Sequence, residues 1–288
     1  MKLVRSDRLK TIIDVVTRGT LRFEQMRKLP LSELLTTYKV QDGDTPVTIM
    51  DIQIGDLMTA EFAQLWPELQ VYDEEKPLSA YNPNRPIGYQ DPVDGTSNAT
   101  RGLYCSVQSV AVMQGGEVVL CAVGNAFDQT IMFAEKGSGA WVQPLLGGDA
   151  TRLRVSEQGR KFNERVAFVD SLSNRKNRDR KLGFRSMLAR DEWSAGCMTT
   201  REYASHIYMW CMLAAGKAEM FLADCIGFHG DTAPGILLVS EAGGMVTNIN
   251  GGLPQPERHY LALGTNGEYH QEILAILRTC YQGYEGFR

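Results

Sequence analysis

Two aspartates, three residues apart, mark the segment of this 288-residue chain that is best suited to chemistry. They lie in residues 91–96 (DPVDGT), which follow a short apolar run. Carboxylates held this close repel each other when both are ionised. A cation such as Mg²⁺ relieves that repulsion, and because it keeps some of its waters it leaves room for a phosphate. The segment therefore predicts a divalent-cation site that accepts a phosphorylated ligand.

The residues after the second aspartate favour the same interpretation. Gly95 allows a tight turn or the close approach of a ligand. The amides that follow it can bind an anion, and Thr96 can position a water molecule. Taken alone, D-x-x-D-G is also typical of a polar turn after a strand, so both interpretations stay open at this point.

Three further acidic residues lie at the ends of predicted elements. Glu74 belongs to an acidic triplet after the second predicted helix, and such triplets are usually solvated. Asp51 and Asp231 each precede an apolar helical pattern, where an aspartate is typical as a helix N-cap. Each residue alone thus has an ordinary structural interpretation.

The elements that must position these residues begin with two helices. Apolar residues at helical spacing predict one helix in the first 35 residues and a second from near Asp51 to Pro67. From Ile87 the period changes to that of strands, joined by glycine turns, with the first of these strands ending at Gln90. The N-terminal half, 1–150, is therefore expected to hold helices and a mainly antiparallel sheet.

Strands and helices alternate in the remainder of the chain, which is typical of an α/β region. We place the boundary near residue 150, so that 151–288 forms a C-terminal α/β half that supplies Asp231.

Composition excludes several classes of protein. Thirty basic against 34 acidic residues give a net charge of −4, which argues against a generic nucleic-acid partner. No apolar run approaches the roughly 18 residues of a membrane span, and the charged N-terminus does not resemble a signal peptide. The six cysteines are scattered without a C-x-x-C pair, which favours free thiols and a cytoplasmic location.

Four motifs in order resemble those of the inositol monophosphatase superfamily, the lithium-sensitive, Mg²⁺-dependent phosphatases. Residues 46–51 (PVTIMD) resemble the family's V-T-x-x-D, and 74–75 its E-E pair. Residues 91–96 match D-P-[IVL]-D-G-T in full, and 231–244 resemble D-x-A-x-G followed by E-A-G-G. Weaker similarity extends over nearly the whole chain. The resemblance implies an α+β fold of the sugar phosphatase type, a layered α-β-α-β-α sandwich.

The resemblance also implies a set of metal ligands. Glu74, Asp91 and the carbonyl of Val93 would bind a first Mg²⁺, and Asp91, Asp94 and Asp231 a second. Two or three ions per site are expected. A homodimer is implied in the same way.

Catalytic and substrate-binding roles are implied by the same motifs. Thr96, with Glu74 and Asp51, would orient a water molecule for direct in-line attack on phosphorus. The amides of Gly95 and Thr96 would hold the phosphate. The implied substrate contacts are Asp94, Gly95, Thr96, Ala204, Ser205 and Asp224.

Three departures from the family pattern lie where members contact substrate. Gly230 replaces the usual Trp, Pro234 begins the following helix, and the usual Gly-Ser or Gly-Thr is Ala204-Ser205. In members that act on polyol monophosphates, an acidic residue at the position of Asp224 binds sugar hydroxyls; a solvated loop aspartate is the alternative. The basic stretch 174–190 steers an anionic substrate, holds a second phosphate as in nucleotide bisphosphatases, or is a solvated face.

The predicted function is hydrolysis of a small phosphomonoester of the inositol-1-phosphate type. A 3′(2′),5′-bisphosphate nucleotidase, a sugar bisphosphatase or a histidinol phosphatase are alternatives within the superfamily. An aspartyl-phosphate mechanism needs D-x-D-G-T, and here Pro92 and Val93 separate the carboxylates. A non-catalytic regulatory protein on the same fold is the alternative from a different class.

Overall fold

The computed structural model describes residues 5–39, 45–76, 82, 84–169, 196–197, 199–225, 229–254 and 260–282. At 31, 35–39, 45–46, 224–225, 229 and 260 only the backbone is described. The basic stretch 174–190 lies outside the described residues.

Seven helices and two 3₁₀ turns occur in the described ranges. The helices are α1 (Asp7–Met26), α2 (Leu31–Leu34), α3 (Ile49–Leu65), α4 (Thr96–Ala99), α5 (His206–Ala214), α6 (Ala233–Glu241) and α7 (His270–Cys280). The 3₁₀ turns are Phe162–Glu164 and His229–Asp231.

The strands form three sheets. Strands β1 (Leu35–Lys39) and β2 (Thr45–Thr48) pair with each other. A seven-stranded sheet has the order β3 (Gln70–Asp73), β4 (Ile87–Asp94), β5 (Val107–Gln114), β6 (Glu117–Asn125), β7 (Thr130–Glu135), β8 (Gly139–Pro144), β9 (Thr151–Arg152). A five-stranded sheet has the order β11 (Thr199–Arg201), β10 (Val166–Val169), β12 (Met220–Cys225), β14 (Tyr260–Thr265), β13 (Met245–Asn248).

The seven-stranded sheet has two apolar faces. Its strands are antiparallel except for the parallel pair β3–β4. Because side chains alternate along a strand, Val110 and Val112 of β5 face one side, where they pack in a cluster with α1 and α3. Val107 and Ala111 face the other side, in a cluster with α5 and α6.

The five-stranded sheet covers the other side of α5 and α6. Phe168 and Phe221 pack on these helices, whereas Leu222 and Leu263 face α7. The order of layers is therefore α1/α3, sheet, α5/α6, sheet, α7. This confirms the predicted layered α-β-α-β-α sandwich, with an antiparallel N-terminal sheet and a mixed C-terminal sheet.

A buried tryptophan fixes α5 between its neighbours. Trp210 is fully buried, and its indole lies against Gly235 of α6 and Gly264 of β14. A Cβ atom at either glycine would come within 2.2 Å of the ring. The helix therefore fits only because both positions lack a side chain.

Two details differ from or extend the prediction from sequence. Strand β4 does not end at Gln90 but continues to Asp94, because its pairing with β5 resumes after an irregularity between Asp91 and Asp94. Strand β9 follows residue 150 yet pairs with β8 in the N-terminal sheet. The division into 1–150 and 151–288 stays a prediction.

Helix lengths and cysteine side chains can both be compared with what the composition predicts. In the described parts of the chain, no helix combines the length and apolar character needed to cross a bilayer. Five cysteines with described side chains are free thiols: Cys105, Cys121, Cys197, Cys211 and Cys280. Burial raises the pKa of Cys121 to about 12 and that of Cys197 to about 11, so neither is a ready thiolate nucleophile.

Candidate metal centre

The site begins at the irregular end of β4. Asp91 pairs with Ser109 of β5 and Asp94 with Val107, so three steps along β4 correspond to two along β5. The extra residue forms a bulge, a device that changes the direction in which the following side chain points. The two aspartates of the motif therefore need not share one face of the sheet.

A hydrogen-bond network around Asp73 holds the end of β3, which Glu74 follows. The Asp73 carboxylate accepts hydrogen bonds from Gln90 Nε2 at 2.7 Å and from the Glu75 amide at 2.9 Å. Gln90 also donates to the Gly55 carbonyl in α3 at 3.0 Å. The turn after β3 is thus tied to both β4 and α3, which fixes Glu74 beside the end of β4.

Three carboxylates from separate parts of the chain meet here. Oxygens of Glu74, Asp91 and Asp231 all lie within 4.8 Å of one another. Asp91 is buried, and its Oδ1 accepts from the Val93 amide at 2.9 Å. Burial, together with the charges of Glu74, Asp94 and Asp231, raises the pKa of Asp91 well above its usual value. Such an oxygen-only donor set fits a hard divalent cation, whose charge offsets the repulsion.

Asp94 joins the end of β4 to the start of α5. Its Oδ2 accepts from the Ser205 hydroxyl, from the Ile207 amide at 2.8 Å and from the Tyr208 amide at 3.2 Å. These amides belong to the first turn of α5, where the helix dipole favours a negative charge. Burial and the nearby Asp231 nevertheless raise the pKa of Asp94 to about 6.

Asp51 and Thr96 form a pair on the other side of the motif. The Thr96 hydroxyl lies 3.0 Å from Asp51 Oδ1 and 3.0 Å from the Val93 carbonyl. Asp51 Oδ2 accepts from the Thr48 amide at 2.7 Å and the Thr48 hydroxyl at 2.5 Å. Burial is the main cause that raises the pKa of Asp51, which makes it a better proton acceptor.

Gly95 and Asn98 join the motif to the segment before α5. Gly95 has φ +82°, and a Cβ there would lie 2.6 Å from the Cys105 carbonyl, so only glycine fits. The Asn98 amide donates to the carbonyls of Tyr203 at 2.6 Å and Ala204 at 3.3 Å. Ala204 has φ +50°, in the left-handed region that favours glycine. Glycine is the usual residue at this position in the family whose motifs the chain resembles.

The chain that carries this site matches a family model over nearly its whole length. The model is that of the inositol monophosphatase family, and it matches residues 12–282. This chain belongs to that family. It is a phosphatase, a phosphoric monoester hydrolase, in a family that depends on metal ions.

The names of proteins similar to this inositol monophosphatase family member mention different substrates. The fructose-1,6-bisphosphatase/inositol-1-monophosphatase of Thermotoga maritima is 25% identical over 242 residues, covering 80% of this chain and 82% of that protein. The histidinol-phosphatase of Streptomyces coelicolor is 28% identical over 241 residues, covering 82% and 85%. The solved structure of a Thermotoga maritima IMPase has a TM-score of 0.78 over 96% of this chain and 98% of that chain, at 23% identity, which supports the fold.

Two helix-cap interpretations from sequence are wrong. Asp51 is not the N-cap of α3: Thr48 is the N-cap, and Asp51, three residues later, completes a capping box. Asp231 is not the N-cap of α6 either, because Thr232 occupies that position. The spacing Thr48-x-x-Asp51 is itself a capping-box signal, so Thr48 was detectable in the sequence of this family member.

The structure adds one neighbour that sequence patterns miss. His206, the first residue of α5, has Nδ1 3.7 Å from Asp231 Oδ2 and a side chain that is 18% exposed. No His-x-His or His-Cys pattern marks it, since Asp231 lies 25 positions further along the chain. The side chain of Asp224, the predicted contact for sugar hydroxyls, lies outside the described residues, although its backbone lies in β12.

Proposed function

We propose that this phosphatase hydrolyses an inositol-1-phosphate-type polyol monophosphate by direct attack of water, with Mg²⁺ as its cofactor. The observation that carries the proposal is the meeting of Glu74, Asp91 and Asp231 within 4.8 Å, beside the hydrogen-bonded Thr96 and Asp51. Family membership also supports two or three ions per site, inhibition by lithium, a homodimer and a cytoplasmic location.

The ligands divide into two overlapping sets. Glu74, Asp91 and the Val93 carbonyl would hold one ion, and Asp91, Asp94 and Asp231 another. Bound Mg²⁺ supplies a lowered pKa for a coordinated water and stabilisation of negative charge on the phosphoryl and leaving oxygens. Asp94 fits this role because the hydrogen bonds from Ser205 and from the α5 amides of Ile207 and Tyr208 all end on Oδ2, so Oδ1 is the oxygen that would contact the ion.

Thr96 and Asp51 would handle the nucleophile's proton. With its hydrogen directed at Asp51 Oδ1, the Thr96 oxygen accepts a hydrogen bond from water and so orients it towards phosphorus. Glu74 would fix the same water from the opposite side. Asp51, held by Thr48, receives the proton through Thr96.

The residues between the two halves would bind the phosphate and the alcohol. The amides of Gly95 and Thr96 lie at the start of α4, where they would hold phosphoryl oxygens. On the alcohol side we place Asp224, with Ala204 and Ser205 at the entry to α5. Asn98 keeps that entry in contact with the motif.

A sugar bisphosphatase is the second candidate substrate class. It is favoured by the Thermotoga maritima relative, whose name joins a fructose-1,6-bisphosphatase with an inositol-1-monophosphatase. A bisphosphate nucleotidase needs a site for a second phosphate, for which the basic stretch 174–190 is the candidate from sequence.

The test is phosphate release measured with malachite green. The panel contains inositol 1-phosphate, fructose 1,6-bisphosphate, histidinol phosphate and a 3′-phosphonucleotide, each with Mg²⁺, with EDTA, and with Mg²⁺ plus lithium. We expect the highest kcat/KM for inositol 1-phosphate and no release in EDTA. Activity that survives EDTA would contradict the metal mechanism, and a stable beryllofluoride adduct on Asp91 would indicate an aspartyl-phosphate mechanism instead.

A further inference from the structure

One buried hydroxyl next to the metal centre has no hydrogen-bond partner. Ser109 lies on β5 directly opposite Asp91 of β4, and it is completely buried. Among the described residues, nothing accepts from or donates to its Oγ. A buried polar atom without a partner costs stability and is rare in folded proteins, so it needs an explanation.

The strand register directs this hydroxyl towards the carboxylates. Residues directly opposite in an antiparallel pair project from the same face, with Cβ atoms about 5 Å apart. Ser109 therefore shares a face with Asp91, the face that also carries Val107 and Ala111. Those two neighbours on β5 pack in an apolar cluster, where an alanine or valine at 109 would suit the packing better than a serine.

Asp91 is a carboxylate for which a second contact would matter. It is shared between the two proposed ligand sets, and Val93 fixes only its Oδ1. Groups that hydrogen-bond to metal ligands orient them and raise their affinity for the ion. A hydroxyl donor across the strand pair is suitably placed for this.

We propose that Ser109 is a positioning residue of the metal centre, whose hydroxyl donates a hydrogen bond to the Asp91 carboxylate when a divalent cation is bound. The inference rests on the proposed function, because it needs the cation site. It gives the serine opposite effects in the two states: an unsatisfied atom in the metal-free protein, and a contact that strengthens cation binding in the loaded one.

The test compares Ser109→Ala with the control Ser156→Ala. Ser156 is also buried, but its hydroxyl already donates a hydrogen bond to the Ala218 carbonyl at 3.2 Å. The melting temperature of each metal-free protein is measured, and then the affinity for Mn²⁺ alone by calorimetry. We expect Ser109→Ala to melt no lower than the wild type but to bind Mn²⁺ about 10- to 100-fold more weakly. Ser156→Ala should melt lower and bind Mn²⁺ as the wild type does.

Ser109→Thr keeps the hydroxyl and should restore most of the affinity even if the added methyl group lowers the melting temperature. Unchanged Mn²⁺ affinity in Ser109→Ala, with a lower melting temperature, would overturn the inference while leaving the proposed function intact. A wild-type protein that binds no Mn²⁺ would overturn both.

Discussion

Two helix N-termini meet site carboxylates, and they do so in opposite ways. Helix α3 binds Asp51, which belongs to its own first turn and completes a local capping box with Thr48. Helix α5 binds Asp94, which lies more than a hundred residues earlier and comes from the other half of the chain. Both helix ends stabilise a carboxylate through backbone amides: the N-cap amide of Thr48 in α3, and the first-turn amides of Ile207 and Tyr208 in α5.

The difference concerns what each contact holds together. The Asp51 contact forms α3 and orients Thr96, so it acts within the N-terminal half. The Asp94 contact joins the DPVDGT segment to the C-terminal half, beside Asp231. Loss of the Asp51 contact should disturb α3 and the proposed Thr96–Asp51 pair. Loss of the Asp94 contact should disturb the spacing between the proposed metal ligands from the two halves of the chain.

The largest expected effect comes from Asp94→Asn. The variant keeps an acceptor for the α5 amides but loses the charge, so we expect it to fold while kcat/KM falls by about 10³-fold, since metal binding contributes several kcal/mol of charge stabilisation. Phosphate release by the purified variant measures this. The exposed Asp149→Asn is the control and should leave kcat/KM unchanged; equal activity in both variants would remove Asp94 from the mechanism.

A pH effect on stability should follow next in size. The pKa of Asp94 is about 6 in the folded protein against an ordinary value of 3.8. The native state therefore binds more protons than the unfolded state between these values, and stability falls as pH rises through 6. We expect metal-free protein to melt lower at pH 7.5 than at pH 5, with Asp94→Asn showing a smaller drop.

Divalent cations should reverse this slope, because they bind the ionised carboxylates. The gain in melting temperature on adding Mg²⁺ should therefore increase from pH 5 to pH 7.5. A gain that is independent of pH would show that the raised-pKa carboxylates do not bind the ion.

Ser205→Ala sharpens the comparison at α5. It removes the hydroxyl that donates to Asp94 but leaves the two amide donors. Because contacts to a metal ligand typically contribute 10- to 100-fold, we expect kcat/KM to fall by about 10-fold. Ser205→Thr keeps the hydroxyl and should have nearly the kcat/KM of the wild type. If Ser205→Thr is as slow as Ser205→Ala, the loss comes from packing and not from the hydrogen bond.

The smallest effect is expected from Thr48→Ala at α3. Removal of an N-cap costs about 1 kcal/mol, or roughly 2–4 °C in a protein of this size. Ser6→Ala is the matched control, because Ser6 caps α1 through the Leu9 amide, far from the site in the fold. Thermal melts should show similar losses in both variants, but only Thr48→Ala should also lower activity, through Asp51.

The same contrast explains how much of the molecule was predictable. The helices, the glycine hairpins and the layered fold follow from periodicity and from the family motifs. The Thr48–Asp51 contact follows from spacing alone. The contact between Asp94 and α5 could not be derived from spacing, since it depends on the bulge in β4 and on how α5 packs between two sheets.

His206 and Ser109 were missed for the same reason. His206 approaches Asp231 only because α5 and the turn before α6 are adjacent in the fold. Ser109 is opposite Asp91 only because the register of β4 and β5 puts it there. A long-range pairing of strands or helices leaves no local pattern in the sequence.

The fit of Trp210 between Gly235 and Gly264 has a consequence for sequence variation. A side chain at 235 or 264 requires a smaller residue at 210, so neither glycine can be substituted while Trp210 is in place. Substitutions in the loops around the site should therefore be tolerated more readily than substitutions where Trp210 of α5 packs on these glycines. A change of substrate would then leave in place both the position of α5 and the hydrogen bonds that its amides donate to Asp94.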